Sequence, residues 1–140
     1  MTGVLVDTNI LVYAYRMDPS DPRHGKAKEA LAELMLAGGG YVGVQGLAEL
    51  SSVFLTKLKP PLSPSEIHGI VTDVEAALSV LRPGAETVKG ALKAVEAHQL
   101  SFWDAMVWSV ARENAVGEIL TEDFQDGRVV EGVRFRNPLK

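Results

Sequence analysis

The sequence predicts an α/β fold of three layers, in which a five-stranded, mainly parallel sheet lies between helices. Short apolar runs, typical of buried strands, alternate with longer segments in which apolar residues recur at helical spacing. Strands that alternate with helices form parallel sheets covered on both faces. The chain of 140 residues contains no repeat and no long linker, so we expect a single domain over residues 1–140.

The first half of the chain is predicted to contain two strands and three helices. Residues 3–6 and 41–44 are the short apolar runs. Helices are predicted from Ile10, over 22–36 and over 46–58, where apolar residues share one face. The predicted inner faces of the last two helices consist of Ala27, Ala30, Leu31, Leu34 and Met35, and of Leu47, Leu50, Phe54 and Leu58.

The second half begins with a strong helix start at Ser63, which is followed by Pro64 and by Glu66. A serine cap, a proline in the first turn and a glutamate three residues after the cap are typical of a helix N-terminus. The remaining predicted elements are a helix to about residue 77, a strand at 78–81, helices at 85–98 and 101–112, a strand at 118–121 and an edge strand at 133–135.

The sequence contains no segment typical of membranes or secretion. Its apolar runs are shorter than the roughly 20 residues that span a bilayer, and its first residues lack the basic segment of a signal peptide. The chain has no cysteine, which excludes disulfides and thiolate metal sites. We therefore expect a cytoplasmic protein.

Four carboxylates follow predicted strands or begin predicted helices. Asp7 comes directly after the first strand and Asp123 comes shortly after the fourth. Glu49 and Asp104 lie in the predicted first turns of two helices. Open α/β sheets bind ligands at the carboxyl ends of their strands. We therefore expect Asp7, Glu49 and Asp123 to meet at one edge of the sheet, where Asp104 can join them.

A cluster of four carboxylates predicts a particular chemistry. The charges repel each other unless cations neutralise them. Oxygen donors favour Mg²⁺ or Mn²⁺, since the chain has no cysteine and its three histidines lack metal-binding spacing. The net charge is −4, so the rest of the chain sums to about zero once the quartet is set aside. Bound cations then admit a phosphate backbone, which suits metal-assisted hydrolysis of a phosphodiester.

Each carboxylate also has a purely structural interpretation. Asp7 is a typical cap for the helix that follows it. Asp104 stands three residues after Ser101, as in a capping box with Asp in place of Glu. Glu49 lies off the apolar stripe of its helix, and Asp123 lies in a turn-like segment. The residues alone leave the metal site and these structural roles both open.

The segments around these carboxylates resemble the PIN-domain family, specifically the VapC-type toxins of bacterial and archaeal toxin–antitoxin pairs. The resemblance spans nearly the whole chain, and four segments in order at the expected separations make it specific. They are Val-Leu-Val-Asp-Thr-Asn-Ile-Leu at 4–11, Gln-Gly-Leu-Ala-Glu-Leu at 45–50, Leu-Ser-Phe-Trp-Asp-Ala at 100–105 and Ile-Leu-Thr-Glu-Asp-Phe-Gln-Asp-Gly at 119–127, with a toxin-like ending at 133–138.

The resemblance implies a PIN-like α/β/α sandwich with an acidic pocket that cleaves RNA with Mg²⁺ or Mn²⁺. Its catalytic, metal-binding quartet corresponds by position to Asp7, Glu49, Asp104 and Asp123. The family's supporting polar positions correspond to Thr8, Asn9 and Thr121. Glu122 stands beside Asp123, and the Thr-x-Asp pattern favours Asp123 as the residue that faces the pocket.

The resemblance also implies partners: RNA as substrate, a second copy in a homodimer, and a small antitoxin protein that blocks the pocket. An acidic pocket attracts an antitoxin arginine, which can fork onto carboxylates. The helices over residues 47–81 offer a groove for an antitoxin helix, unless its apolar residues belong to the core. These residues are Phe54, Leu58, Leu62 and Ile67.

Basic and aromatic residues near the quartet have two interpretations each. A basic group on the first two helices can contact RNA phosphates or form a solvated helix face, and the solvated face is favoured. That group consists of Arg16, Arg23, Lys26 and Lys28. Trp103 and Trp108 flank Asp104, and core packing is favoured for both over base stacking.

Other functions stay open on the sequence alone. A phosphatase that forms a phosphoaspartate needs a second Asp two residues after Asp7, where this chain has Asn9. A response-regulator receiver needs an acidic pair near the first strand and fits less well. A catalytically silent PIN-fold scaffold normally lacks quartet residues, and all four are present here. A housekeeping PIN nuclease without an antitoxin is a further alternative to a toxin.

Overall fold

A computed structural model describes residues 2–140 as six helices and six strands. The strands are β1 (Thr2–Val6), β2 (Gly40–Gly43), β3 (Ser79–Leu81), β4 (Val116–Leu120), β5 (Val129–Val130) and β6 (Val133–Arg136). The helices are α1 (Thr8–Tyr15), α2 (Pro22–Ala37), α3 (Val44–Thr56), α4 (Pro64–Ala77), α5 (Ala85–His98) and α6 (Phe102–Glu113). The alternation of strands and helices that the sequence predicted is therefore confirmed.

The strands form one sheet in the order β3-β2-β1-β4-β6-β5. All neighbouring pairs are parallel except β5 and β6, which are antiparallel. The prediction of five strands was wrong by one. β5 has only two residues, too few to show a period, and it pairs through a tight turn at Glu131 and Gly132, both with positive φ. Consequently β6 is not the edge strand that the sequence predicted.

The sheet lies between two groups of helices, each with its own core. Alternate side chains of a strand point to opposite faces. On β1, Leu5 belongs to the core beneath α5 and α6, whereas Val6 belongs to the core beneath α1 to α4. Ile119 and Leu120 divide in the same way on β4. This arrangement confirms the three-layer α/β/α fold.

Most helix boundaries agree with the sequence because strong caps define them. Ser63 and Glu66 form the predicted capping box at the start of α4. α3 begins at Val44, earlier than predicted, so Glu49 lies in its second turn rather than its first. Met35 was predicted to face inwards on α2, but its side chain is 60% exposed. Among residues 2–140, no helix is long and apolar enough to cross a membrane.

The order in which the chain adds strands to the sheet changes direction between β1 and β4, which is a topological switch point. From β1 the chain proceeds to β2 and β3 on one side, whereas β4 and β6 lie on the other side. Parallel pairing aligns Val6 with Leu120, so that Asp7 and Thr121 leave the sheet side by side. In open α/β sheets, ligands bind in the crevice at such a point.

Candidate active site

All four predicted carboxylates line one cavity at the carboxyl edge of the sheet. This acidic cavity has a volume of about 410 Å³ and is bounded by Asp7, Glu49, Asp104 and Asp123. The four residues come from the end of β1, from α3, from α6 and from the segment after β4. Residues up to 116 positions apart in sequence are therefore brought together by the sheet order and by the first two turns of two helices.

Asp7 is the most buried of the four, with 8% of its surface exposed. One carboxylate oxygen accepts the backbone N–H of Thr8 at 2.8 Å, which caps α1. The other oxygen accepts the hydroxyl of Thr121 at 2.9 Å. Burial raises the pKa of Asp7 to about 6; the two hydrogen bonds oppose this rise, and the Asp123 and Glu49 charges add to it. The capping role and the site role therefore coexist in one residue.

Thr121 connects Asp7 to Asp123. Its hydroxyl donates to Asp7 and accepts the backbone N–H of Asp123 at 3.2 Å. Asn9 then donates from its amide nitrogen to the Asp123 carboxylate at 2.9 Å. The supporting positions Asn9 and Thr121 thus hold two of the four carboxylates in fixed orientations.

Asp123 and Asp104 influence each other across the cavity. Partial burial and then the Asp104 charge raise the pKa of Asp123, and the hydrogen bond from Asn9 opposes the rise. Asp104 lies in the first turn of α6, where its backbone N–H donates to the Ser101 hydroxyl at 3.3 Å. Within residues 2–140 its carboxylate accepts no hydrogen bond, so the alternative of a capping box is not realised. Asp104 is therefore available to a ligand.

Glu49 is exposed but held at both carboxylate oxygens. The Thr8 hydroxyl donates to one oxygen at 3.2 Å, and the side-chain amide of Gln45 donates to the other at 2.7 Å. Gln45 stands one helical turn before Glu49 on α3. Sequence reasoning assigned Gln45 no role, although its i, i+4 spacing from an acidic residue is a recognisable signal.

Glu122 points to a different part of the surface from Asp123. The Tyr13 hydroxyl donates to Glu122 at 2.6 Å and accepts from the Arg23 guanidinium at 2.8 Å. The same guanidinium pairs with Asp21 at 2.8 Å. Glu122 is therefore part of a surface network, while Asp123 lines the cavity, as the Thr-x-Asp pattern favoured.

Comparison with known protein families covers the part of the chain that contains the four carboxylates. The PIN-domain family model matches residues 4–129, a span that includes all four. This chain belongs to the PIN-domain family. No curated protein sequence matches the chain.

Solved structures share the PIN fold over almost the whole chain. VapC20 of Mycobacterium tuberculosis, a toxin that cleaves the sarcin–ricin loop, has a TM-score of 0.63 and 21% identity, with 94% of this chain and 99% of that chain covered. VapBC2 of Rickettsia felis, bound to a promoter DNA fragment, has a TM-score of 0.69 and 18% identity, with 96% and 97% covered. DNA-bound VapBC of Salmonella typhimurium has a TM-score of 0.67 and 15% identity, with 99% of each chain covered.

The chemistry of this PIN domain's donors fits a hard divalent cation. Among residues 2–140, no three His, Cys, Asp or Glu side chains stand close enough to share one ion as placed. Mg²⁺ commonly binds through only one or two carboxylates and keeps several waters, so wider spacing suits it. The side-chain oxygen of Asn9 is also buried without a hydrogen-bond partner among these residues, which leaves an unused oxygen acceptor beside the carboxylates.

Sequence reasoning did not name Tyr13 of α1, which lines the cavity. Arg16, the C-cap of α1 and one of the basic candidates, also lines it and is the one Lys or Arg that does so among residues 2–140. Of the other basic candidates, Arg23 pairs with Asp21, and Lys26 donates to the Leu139 carbonyl oxygen at 3.0 Å. The favoured interpretation as a solvated face therefore holds for Arg23 and Lys26. Arg16 is also exposed, at 44% of its side chain, and lies 3.9 Å from Asp18, but it lines the cavity as well.

The two tryptophans behave differently. Trp108 is 4% exposed and its indole N–H donates to the Val130 carbonyl oxygen at 3.0 Å, as expected of a core residue. Trp103 is 62% exposed and lines the acidic cavity, so the prediction of core packing was wrong for it.

Proposed function

We propose that this PIN domain is a Mg²⁺- or Mn²⁺-dependent endoribonuclease and the toxin component of a toxin–antitoxin pair. The observation that supports the proposal most strongly is the convergence of four carboxylates on one cavity. Their positions at a topological switch point suit ligand binding. The family membership and the toxin structures with the same fold agree with this function.

Each polar residue of the cavity has a defined task in this proposal. Asp7, Glu49, Asp104 and Asp123 hold the cation and keep the cavity selective for a positively charged group. Thr121 and Asn9 orient Asp7 and Asp123, while Thr8 and Gln45 orient Glu49. Such outer hydrogen bonds commonly change metal affinity or activity by about 10- to 100-fold.

A divalent cation in this cavity would supply Lewis-acid activation of the phosphodiester and of the attacking water. The protein contributes the fixed orientation of its carboxylates and the N-terminus of α6, whose backbone dipoles favour an anionic phosphate. Asp104 occupies that first turn with a carboxylate that lacks other partners within residues 2–140. The hydrolysis breaks one phosphorus–oxygen bond of the RNA chain and adds water across it.

A pair of neighbouring substitutions tests the enzyme proposal. Asp123→Asn removes a cavity carboxylate, whereas Glu122→Gln removes the adjacent carboxylate outside the cavity. We expect Asp123→Asn to lower RNA cleavage by at least about 100-fold. We expect Glu122→Gln to keep most activity. Cleavage of total RNA by purified protein should require Mg²⁺ or Mn²⁺ and should stop with EDTA.

Two other outcomes would change the assignment. If no condition gives cleavage and calorimetry shows no cation binding, the chain is a silent PIN-fold binding module. If the protein hydrolyses a phosphomonoester but not RNA, the aspartate-based phosphatase gains support despite Asn9 in place of a second Asp. Equal activity of Asp123→Asn and Glu122→Gln would show that the cavity is not the active site.

An apolar groove of about 1100 Å³ offers a site for the antitoxin. Its walls include Leu31 and Met35 of α2, Leu58 and Leu62 of the α3–α4 connection, and Ile70 of α4. Phe54 and Ile67, for which the sequence left both this groove and the core open, are core residues with 0% and 4% exposure. An amphipathic antitoxin helix is the occupant we propose, since such helices dock their apolar face into grooves. Arg16 lines both this groove and the acidic cavity, which makes the two sites adjacent.

Two neighbouring residues on α2 test the groove. Met35 is 60% exposed and lines it, whereas Leu36 is 91% exposed and does not. Co-expression with a cognate antitoxin should neutralise the growth arrest that the toxin causes. Met35→Glu should weaken this neutralisation, and Leu36→Glu should leave it unchanged. Equal effects of both variants would place the antitoxin elsewhere, and an absence of growth arrest would favour a housekeeping nuclease.

The homodimer and the cytoplasmic location are further parts of the proposal. Sedimentation of the purified chain at several concentrations measures the first, and a two-copy assembly is expected. Fractionation of expressing cells measures the second, and the cytoplasmic fraction is expected. Neither outcome affects the assignment of the cavity.

A further inference from the structure

Trp103 occupies an unusual position for a tryptophan. Burial of a large aromatic side chain stabilises a protein, so exposure at 62% leaves much of this stabilisation unused. Single exposed apolar residues are common and by themselves indicate nothing. The location is more informative, because Trp103 lines the cavity that holds the four carboxylates and directly precedes Asp104.

The indole ring is held firmly but is left accessible. α6 starts at the Ser101 cap, which fixes the first turn that carries Trp103. The ring of Phe102 lies 5.1 Å from that of Trp103 at an interplanar angle of 70°. Phe102 itself packs against the core beneath α5 and α6. An edge-to-face contact occupies at most one face of the indole, so at least one face is free of Phe102.

Other residues of the cavity wall supply complementary groups. Asn9, Tyr13 and Arg16 follow at spacings of four and three residues, so that one face of α1 and its C-cap line the cavity. The cavity is therefore lined by a flat aromatic surface, by carboxylates and by one cation. A nucleotide presents the matching groups, a planar base and an anionic phosphate.

We propose that Trp103 stacks on an unpaired nucleobase next to the scissile phosphate. The inference rests on the proposed nuclease function and adds a base-binding residue to it. Base–aromatic stacking is tolerant of sequence because every base has a π-face. A base within an A-form duplex stacks on its neighbours and is not available to Trp103.

Fluorescence tests this contact directly, because the chain has two tryptophans and Trp108 is 4% exposed. The Asp7→Asn variant with Mg²⁺ serves as the binding protein, since it keeps the RNA intact and makes the cavity less negative. A single-stranded 12-nucleotide RNA should quench the emission, and the same RNA annealed to its complement should not. Quenching should disappear when Trp103→Phe is added, because only Trp108 then remains.

Kinetics gives a second, independent readout. In the otherwise unaltered protein, Trp103→Ala should raise KM for single-stranded RNA by about 5- to 100-fold with little change in kcat, whereas Trp103→Phe should keep most of the affinity. Leu92→Ala, which alters an exposed apolar residue of α5 away from the cavity, is the matched control and should change nothing.

The two proposals fail in distinguishable ways. One outcome is metal-dependent cleavage, an equal KM for Trp103→Ala and the unaltered protein, and no quenching. This outcome would overturn the stacking role alone. If Trp103→Ala changes the sedimentation of the protein but not its KM, the indole belongs to a protein interface. This result would also overturn the stacking role. RNA that is neither bound nor cut would overturn both proposals.

Discussion

Asp7 shows how one residue serves both the fold and the site. Its carboxylate caps α1 and accepts the Thr121 hydroxyl, yet it is buried beside two other carboxylates. Burial raises its pKa from 3.8 to about 6, which means that the folded protein disfavours the ionised form. A cation in the cavity would remove this penalty, because an opposite charge favours the carboxylate.

The raised pKa predicts how the stability of the metal-free protein depends on pH. Between pH 4 and 6 the unfolded chain ionises Asp7 while the folded chain keeps it protonated. The free energy of unfolding therefore falls as pH rises through this window, by about 3 kcal/mol at most, and stays lower above it. Asp7→Asn removes the charge and keeps an oxygen that accepts the Thr8 N–H, while its amide N–H can donate to the Thr121 hydroxyl oxygen instead of accepting from it. In EDTA, denaturant unfolding should show the variant to be more stable than the unaltered protein at pH 7.5.

The same comparison at pH 4 is the internal control. There the carboxyl is largely protonated in the folded protein, so the two proteins should have nearly equal stability. A variant that is less stable than the unaltered protein at both pH values would contradict the prediction. Such a result would mean that the capping hydrogen bond outweighs the cost of burying the charge.

Individual site residues differed in how well the sequence predicted them. Asp7 and Asp123 follow strands, and strand ends are set by strong apolar runs. Trp103 was misplaced because helical periodicity identifies apolar residues but does not distinguish a side chain that meets the core from one that lines an open cavity. A solvated face was favoured for Arg16, and its place in the cavity wall was not predicted, because the path of the chain after α1 determines which cavity its side chain lines.

At the scale of elements, the contact between α5 and α6 depends on a glycine. A Cβ at Gly90 would stand 2.7 Å from the Ser109 hydroxyl oxygen, which donates to the Thr87 carbonyl oxygen at 2.8 Å. Ser109 is 4% exposed, so its hydroxyl has few other partners. The two helices can approach this closely because residue 90 has no side chain.

We predict that Gly90→Ala destabilises the protein by about 1 kcal/mol. The substitution improves helix propensity by roughly 1 kcal/mol but displaces a buried hydroxyl, which costs about 1 to 3 kcal/mol. In a Ser109→Ala background the clash is absent, since the Ser109 Cβ is 3.9 Å away, and Gly90→Ala should become neutral or stabilising. Thermal unfolding of the four proteins of this cycle measures the coupling.

Gly25→Ala is the matched control for that cycle. Gly25 lies within α2 and a Cβ there would meet nothing within 4 Å. This substitution should therefore stabilise the protein by up to about 1 kcal/mol. If Gly90→Ala also stabilises the protein with Ser109 intact, the close approach of the two helices carries no energetic consequence.

Elements were predicted well where local chemistry defines their ends. α4 and α5 agree with the sequence because a capping box starts one and Gly84 precedes the other. β5 was not predicted because two residues cannot show the alternation of apolar and polar residues that marks a strand. Its pairing also depends on a turn after Val130. The register of β1 against β4, which places Asp7 beside Thr121, also could not be predicted from local sequence patterns.

At the scale of the whole molecule, charge distribution decides how an acidic protein could hold RNA. The net charge is −4, so a general attraction to phosphates is absent. Four carboxylates line the acidic cavity with one cation, Arg16, among its described walls. The proposed RNA contact would therefore depend on bound cations, on Arg16 and on stacking rather than on a broad basic surface.

This charge pattern predicts a small and local dependence of RNA affinity on salt. Each phosphate contact to single-stranded RNA adds about 0.7 to the slope of log K against log salt. Arg16→Gln should reduce the slope by about that amount, because it removes the cavity's cation. Binding of a fluorescent single-stranded RNA to the Asp7→Asn protein, measured from low to moderate KCl at fixed Mg²⁺, gives the slope.

Lys93→Gln separates this local effect from the effect of net charge. Lys93 is exposed on α5 and does not line the acidic cavity, and each of the two substitutions removes one positive charge from the Asp7→Asn protein, so the two variants have the same net charge. An unchanged slope for Lys93→Gln beside a reduced slope for Arg16→Gln would place a phosphate at Arg16. Equal slopes for both variants would show instead that Arg16 acts only through total charge, and that the phosphate backbone follows a path outside the wall of α1.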